Sequence, residues 1–305
     1  MGRPTPNHAG RRLGRKLTLA CGLGLLIAMT TAPAAMAGIL LPESGGSPNA
    51  DQISSLYKIT LYISLVVFIG VEGALIYALY RFRARKGAVP AQIHGNTRLE
   101  IGWTLGAALI LVVLGAVTFT KLDSIRNPPN SGPGGLQLTA GVDYATTDAL
   151  KPPNGKSLNI QVNGQQYVWR FTYPGGKQAD GLDDVYSYEK MVVPINTTVT
   201  LDIVSQDVVH SWWIPQLGGK FDAVPGYPNH TWFKISKPGV YKGQCAFLCG
   251  RLHARMIAEV DAVTPAQYTA WLAQQKQAIA AADAAAQVAR ATLAKQTGAA
   301  SVANP

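Results

Sequence analysis

Two runs of about twenty residues, LYISLVVFIGVEGALIYALY at 61–80 and IGWTLGAALILVVLGAVTFT at 101–120, constrain this chain more than anything else in it. The first holds one charged residue, Glu72, and the second none. Each is long enough to cross a ~30 Å hydrocarbon layer, which takes about 20 helical residues. A segment in hydrocarbon must satisfy its backbone N–H and C=O groups internally, so both runs are predicted to be helices.

The loop between them, RFRARKGAVPAQIHGNTR, carries five basic residues and no acid. The positive-inside rule places it in the cytoplasm and both flanks in the other compartment. The N-terminus agrees. It has a basic region, an apolar run over about 17–29 and Ala35-Met36-Ala37 as a cleavage site, the three parts of a secretory signal peptide at 1–37. Cys21 leaves with that peptide, so the mature chain keeps two cysteines, Cys245 and Cys249. The expectation is a transmembrane hairpin over 38–121, with spans about 55–80 and 101–120, holding an exported C-terminal domain. The formal net charge of +10 does not indicate a nucleic-acid partner. Ten basic residues lie in the leader and the cytoplasmic loop, and from Leu122 onward 15 Lys and Arg face 13 Asp and Glu.

Residues 122–156 are rich in Pro and Gly and read as linker and loops. From 157 to 263 the pattern alternates in short runs such as LNIQVNGQQYVWRFTYP, MVVPINTTVTLDIVS and MIAEV, broken by Pro, Gly and Asn. That is the signature of a β-sandwich or barrel. The stretch 264–305 is rich in Ala and Gln, predicted as a helix to about 295 followed by a frayed tail.

The chemistry concentrates in GQCAFLCGRLHARM at 243–256. An exported pair of cysteines suggests a disulfide, but that leaves His253 and Met256 without a role. A redox thiol pair usually has Cys-x-x-Cys spacing, one residue shorter than here. Structural zinc sites gather four Cys or His ligands. A thioether suits copper better than zinc, and His210 in QDVVHSWW offers a second imidazole from an earlier strand. Two thiols, two imidazoles and a thioether exceed the needs of one four-coordinate ion and suit two copper ions sharing both sulfurs. A copper-free disulfide domain and a membrane-anchored copper carrier remain alternatives on the residues alone.

Five segments, LEIGWT, GQQYVWRFTY, QDVVHSWWIPQLGGKFDAVPG, GQCAFLCG and HARM, together resemble subunit II of the haem–copper cytochrome c oxidases. The resemblance runs from the first span to the end of the β region. It implies an all-β cupredoxin-like (Greek-key sandwich or barrel) domain, joined to the two-helix hairpin and followed by a C-terminal helix. It further implies a dinuclear copper A centre, with Cys245 and Cys249 bridging and His210 and His253 each capping one ion. Met256 would be a weak axial ligand and Phe247 would offer its backbone carbonyl. The family commonly has glutamate at the Phe247 position, where the side chain also serves a magnesium or manganese ion. Phenylalanine cannot, because hard cations want oxygen donors.

The same resemblance implies electron transfer from cytochrome c through copper A to haem in subunit I, for oxygen reduction coupled to proton translocation. Partners would be subunit I, subunit III, cytochrome c and membrane lipid, in a bacterial inner membrane with both termini periplasmic. Tyr167, where the family usually has tryptophan, would be the electron entry. Asp180, Asp183, Asp184 and Asp207 would be the cytochrome c docking acids, and Glu100 would stand at a proton-channel mouth. On the residues alone Glu100 is equally a helix-terminus acid favoured by the helix dipole. A quinol oxidase subunit is disfavoured because that branch lacks the copper ligands.

Overall fold

In the computed structural model, residues 41–83, 87, 89, 92–136, 152–174 and 185–297 are described. The expected signal peptide lies outside these residues, as do Asp180, Asp183 and Asp184.

Both apolar runs are helical and longer than a membrane requires. Helix α1 spans Pro48–Arg81 and α2 spans Thr97–Arg126. At 1.5 Å per residue they are about 50 and 45 Å long, so each extends beyond a ~30 Å hydrocarbon layer. Pro48 opens α1, where its missing N–H costs nothing, and Asp51 lies in the first turn. Helix α2 is capped by Asn96, whose side chain accepts from Leu99 N at 3.2 Å, while Glu100 Oε1 accepts from Asn96 N at 3.2 Å. This reciprocal arrangement satisfies two N–H groups that a helix start leaves free. At the other end α2 continues past the expected linker boundary to Arg126. It stops at Asn127, before Pro128 and Pro129, because a residue preceding proline disfavours the helical conformation.

Among the described residues the β region forms ten strands: β1 Leu158–Gln165, β2 Val168–Tyr173, β3 Val185–Tyr188, β4 Lys190–Pro194, β5 Thr198–Ser205, β6 His210–Trp212, β7 Phe221–Ala223, β8 Asn229–Lys234, β9 Gly239–Gln244 and β10 Ile257–Val263. They make a five-stranded sheet in the order β3-β2-β1-β5-β8, a three-stranded sheet β4-β10-β9, and the pair β6-β7. β1 runs parallel to β5 and β10 parallel to β4, while the other pairs are antiparallel. Parallel neighbours require crossings between the sheets, so this is a Greek-key sandwich of cupredoxin-like form. Strands β3 and β7, at four and three residues, are too short to show an alternation in sequence.

The core follows from the period-two alternation. Leu158, Ile160 and Val162 of β1 and Val199, Leu201 and Ile203 of β5 are buried, as are Trp169, Phe171 and Tyr173 of β2. Met191 and Val193 of β4 and Ala258, Val260 and Ala262 of β10 supply the other half. The Tyr173 hydroxyl accepts from Val192 N at 2.7 Å, a polar tie between the sheets. Helix α3, Pro265–Thr297, begins with a Thr264–Gln267 capping box and covers one end of the core with Tyr268, Trp271 and Leu272. From 280 to 293 it is exposed and alanine-rich.

The sandwich is fastened to the ends of the membrane helices by β8. Trp232 Nε1 donates to Ile125 O at 3.0 Å and Arg126 O at 3.1 Å, two of the carbonyls that the end of α2 leaves free. Asn49 Nδ2 donates to Trp232 O at 2.8 Å, and Lys234 N donates to Ser47 Oγ at 3.1 Å.

Candidate metal centre

His210 opens β6, and the other donors lie on the loop between β9 and β10. That loop is pinned at three points. Cys245 N donates to Met256 O at 2.9 Å and closes its base. Ala246 N donates to Ser211 O at 2.9 Å, and Gln244 N donates to Trp213 O at 3.1 Å, so it is sewn to β6. Glycine is needed at 243 because a Cβ there would lie 1.9 Å from Trp213 O.

Six donors converge. Cys245 Sγ is 3.9 Å from Cys249 Sγ, 3.9 Å from His210 Nδ1 and 3.2 Å from Phe247 O. Cys249 Sγ is 3.6 Å from His253 Nδ1 and 4.0 Å from Met256 Sδ. A disulfide requires about 2.05 Å between sulfurs, so both cysteines are free. Two donors bound to one tetrahedral ion at ~2.0–2.3 Å stand roughly 3.3–3.8 Å apart. The observed separations of 3.2–4.0 Å lie within a few tenths of an ångström of that spacing. His210, Cys245, Cys249 and Met256 are buried and His253 is half-buried. Thus the donors are shielded from water at one edge of the sandwich.

The electrostatics favour a thiolate. Burial pushes the Cys245 thiol up, but hydrogen bonds with His210, Ser211 N, Phe247 and His253 outweigh it and hold the group well below an ordinary thiol. Burial raises Cys249, and the neighbouring Cys245 charge raises it further. For His210, burial lowers the imidazole pKa, yet Cys245 and Asp207 more than offset this, and the net shift is upward. The second ring nitrogen of His210 donates to Asp207 Oδ1 at 2.9 Å. The ring also rests against Trp169, with centroids 5.9 Å apart, and over Gly164, where a Cβ would be 3.0 Å from Cδ2.

The remaining candidates fall in different places. Tyr167 is half-buried beside the loop, its hydroxyl accepting from Arg251 N at 3.1 Å. Asp207 stands at the His210 ring. Glu100 is at the far end of α2 from the sandwich, about 40 Å along the helix axis. Phe247 is 45% exposed, and its carbonyl lies 3.2 Å from Cys245 Sγ. Three contributors escaped the reading of the sequence. Gln166 donates from Nε2 to Cys249 O at 2.7 Å, Gly164 makes room for the His210 ring, and Gly243 lets β9 approach β6. Only Asp207, three residues before a candidate ligand, had a local signal for its contact with His210.

Comparison with known proteins follows the same division of the chain. Residues 177–263 match the family model for the periplasmic domain of cytochrome c oxidase subunit II, and 34–120 match that for its transmembrane domain. A cytochrome c oxidase subunit 2 from Cereibacter sphaeroides is 30% identical over 298 residues, covering 84% of this chain and 90% of the relative. One from Alkalihalophilus pseudofirmus is 33% identical over 227 residues, covering 74% of this chain but only 59% of the relative's length. Among solved structures, the periplasmic domain of subunit II of cytochrome oxidase from Bradyrhizobium japonicum is 30% identical, with a TM-score of 0.36, covering 40% of this chain and 95% of that one.

Proposed function

The chain belongs to the cytochrome c oxidase subunit II family, and from that premise we propose that it is the electron-entry subunit of a haem–copper oxidase, holding a dinuclear copper A centre. The observation that carries this reading is the convergence of two free sulfurs, two imidazole nitrogens, a thioether and a carbonyl at separations of 3.2–4.0 Å. Soft thiolate and thioether donors select copper over hard cations. When bound, the copper pair would supply one-electron chemistry.

The chain's own residues supply the rest. Cys245, held toward its thiolate, Cys249, His210, His253, Met256 and the Phe247 carbonyl would hold the copper pair between them. The pinned loop fixes these groups before any metal arrives, which limits rearrangement on electron transfer. Tyr167 puts an aromatic ring beside that loop as the electron entry from cytochrome c. Asp180, Asp183, Asp184 and Asp207 supply negative charge for a basic cytochrome c, speeding encounter. The hairpin and its basic loop orient the sandwich to the periplasmic side of a bacterial inner membrane, where it meets subunits I and III. Electrons pass to haem in subunit I for oxygen reduction coupled to proton translocation. Glu100 stands on the cytoplasmic side at a proton-channel mouth, while also capping α2.

The test is the complex purified in mild detergent. Two coppers per chain, a seven-line mixed-valence EPR signal and co-purifying haem are expected. A copper-free chain with a Cys245–Cys249 disulfide would overturn the proposal.

A further inference from the structure

Glu72 is the one charged residue in the apolar run of α1, and neither the metal centre nor the helix caps use it. Its depth follows from helix geometry. Glu72 stands nine residues before Arg81, where α1 meets the basic loop, which places it about 14 Å from that end. Ala107, across from it on α2, stands nine residues after Arg98 and so lies at the same depth of about 14 Å. In a ~30 Å hydrocarbon layer, Glu72 is close to the middle.

The two helices part at this level. On α2, Leu114, Gly115, Val117 and Thr118 are half-buried, whereas every residue from 97 to 109 is exposed. Between the helices runs an open groove of about 660 Å³, walled by Val67, Phe68 and Val71 of α1 and by Ala107 and Leu111 of α2. Ser64 and Glu72 are its polar lining residues. Phe68 and Leu111 are 60% and 70% exposed, so this chain leaves the groove unfilled. Among the described residues the Glu72 carboxyl has no hydrogen-bond or ion-pair partner.

At a watery surface such a carboxyl would need no protein partner. Mid-bilayer it is costly, and acids at that depth face a protein group that pairs with them. Acyl chains could fill the groove but cannot hydrogen-bond. The glutamate side chain is also too short to reach the headgroups from about 14 Å inside. We infer that the α1–α2 groove receives a transmembrane helix of another oxidase subunit, which presents a hydrogen-bonding side chain to Glu72. The inference rests on the oxidase reading above. Apolar walls tolerate sliding and rotation of a docked helix, whereas one polar pair fixes its depth and its facing side.

The test compares Glu72→Leu and Glu72→Gln in the full complex in mild detergent. Leucine is favourable in hydrocarbon, so Glu72→Leu still inserts as a helix. It should shed this chain from the complex on the order of 3–20-fold more readily, the range of one interhelical hydrogen bond, with its copper signal unchanged. Glu72→Gln keeps a donor and an acceptor and should stay within about twofold of wild type. A loss equal to that of leucine also supports the pairing and marks the partner group as a cation. Dicyclohexylcarbodiimide, a carboxyl reagent that enters hydrocarbon, should modify Glu72 in the isolated chain and spare it in the complex. Benzoylphenylalanine at position 68 should cross-link to a transmembrane peptide of another subunit. Cross-links to lipid alone or to a second copy of this chain would overturn the inference, as would equal carbodiimide labelling in both preparations or wild-type retention of Glu72→Leu. A wild-type preparation without haem or copper would sink the oxidase reading itself. One with both, but with Glu72 uncovered, would sink the pairing alone.

Discussion

Gly243→Ala tests whether close approach of β9 to β6 holds the metal loop in place. The added Cβ would sit 1.9 Å from Trp213 O and 2.8 Å from both Trp213 C and Ile214 Cα. All three are backbone atoms, so no side chain can swing aside. Carbon–oxygen contacts settle at about 3.3 Å, so the strands must part by roughly 1.4 Å. That movement breaks the 3.1 Å bond from Gln244 N to Trp213 O. Overpacking costs about 1–3 kcal/mol, and the lost hydrogen bond adds about 0.5–1.5 kcal/mol. The sum of roughly 2–4 kcal/mol is a large part of a domain stability of about 5–15 kcal/mol. At about 4–8 °C per kcal/mol for a domain of ~100 residues, the unfolding midpoint should fall by roughly 8–30 °C. Cys245 lies two residues further on, so copper retention should fall as well. The assay is thermal unfolding of the detergent-solubilised chain by tryptophan fluorescence, with copper content measured alongside. Lys242→Ala, at an exposed neighbouring position, should stay within about 0.5 kcal/mol. A Gly243→Ala chain melting within two degrees of wild type (about 0.5 kcal/mol or less) with full copper would refute the reasoning.

Two other predictions concern the anchor and the thiols. Trp232→Phe removes the donor to Ile125 O and Arg126 O and should cost about 1–3 kcal/mol, confined to the junction of α2 and β8. Hydrogen exchange should quicken over 121–126 but not in β1 and β5, and unchanged exchange at the helix end would count against the tie. In the copper-free chain, thiolate absorbance near 240 nm, taken as the difference from Cys245→Ser, should titrate well below the ordinary thiol value of about 8.5. A depressed folded pKa contributes stability in full above the unfolded value and loses it as pH falls through the folded one. The Cys245 contribution should therefore fade on acidification from about pH 8.5, and a midpoint at or above that value would contradict the geometry.

Much of the molecule was legible in sequence because its signals are local. Apolar runs of about twenty residues, long enough to span a membrane one at a time, satisfy their backbone as helices. Alternation marked β1, β2, β5 and β10, and Ala- and Gln-rich composition marked α3. Cys245, Cys249, His253 and Met256 lie on one short loop, so their spacing alone narrowed the chemistry, and His210 was reachable because few histidines were available. The short strands β3 and β7 were not legible, since three or four residues carry no period.

The sequence by itself determined which residues could enter a membrane, which could bury a sandwich core, and which donors a metal could use. Tertiary structure alone decided what those donors rest on. Gly164 beneath the His210 ring, Gly243 against Trp213, Trp232 on the last carbonyls of α2, and Gln166 between Asp207 and Cys249 all join segments remote in sequence. The reason is physical: propensity, hydropathy and ligand type belong to single residues and their neighbours. A van der Waals contact or hydrogen bond between distant strands exists only once the sheets have set their register. Asp207 shows the difference most plainly. Its charge could be read from one letter, but its place beside the His210 ring is set by the fold.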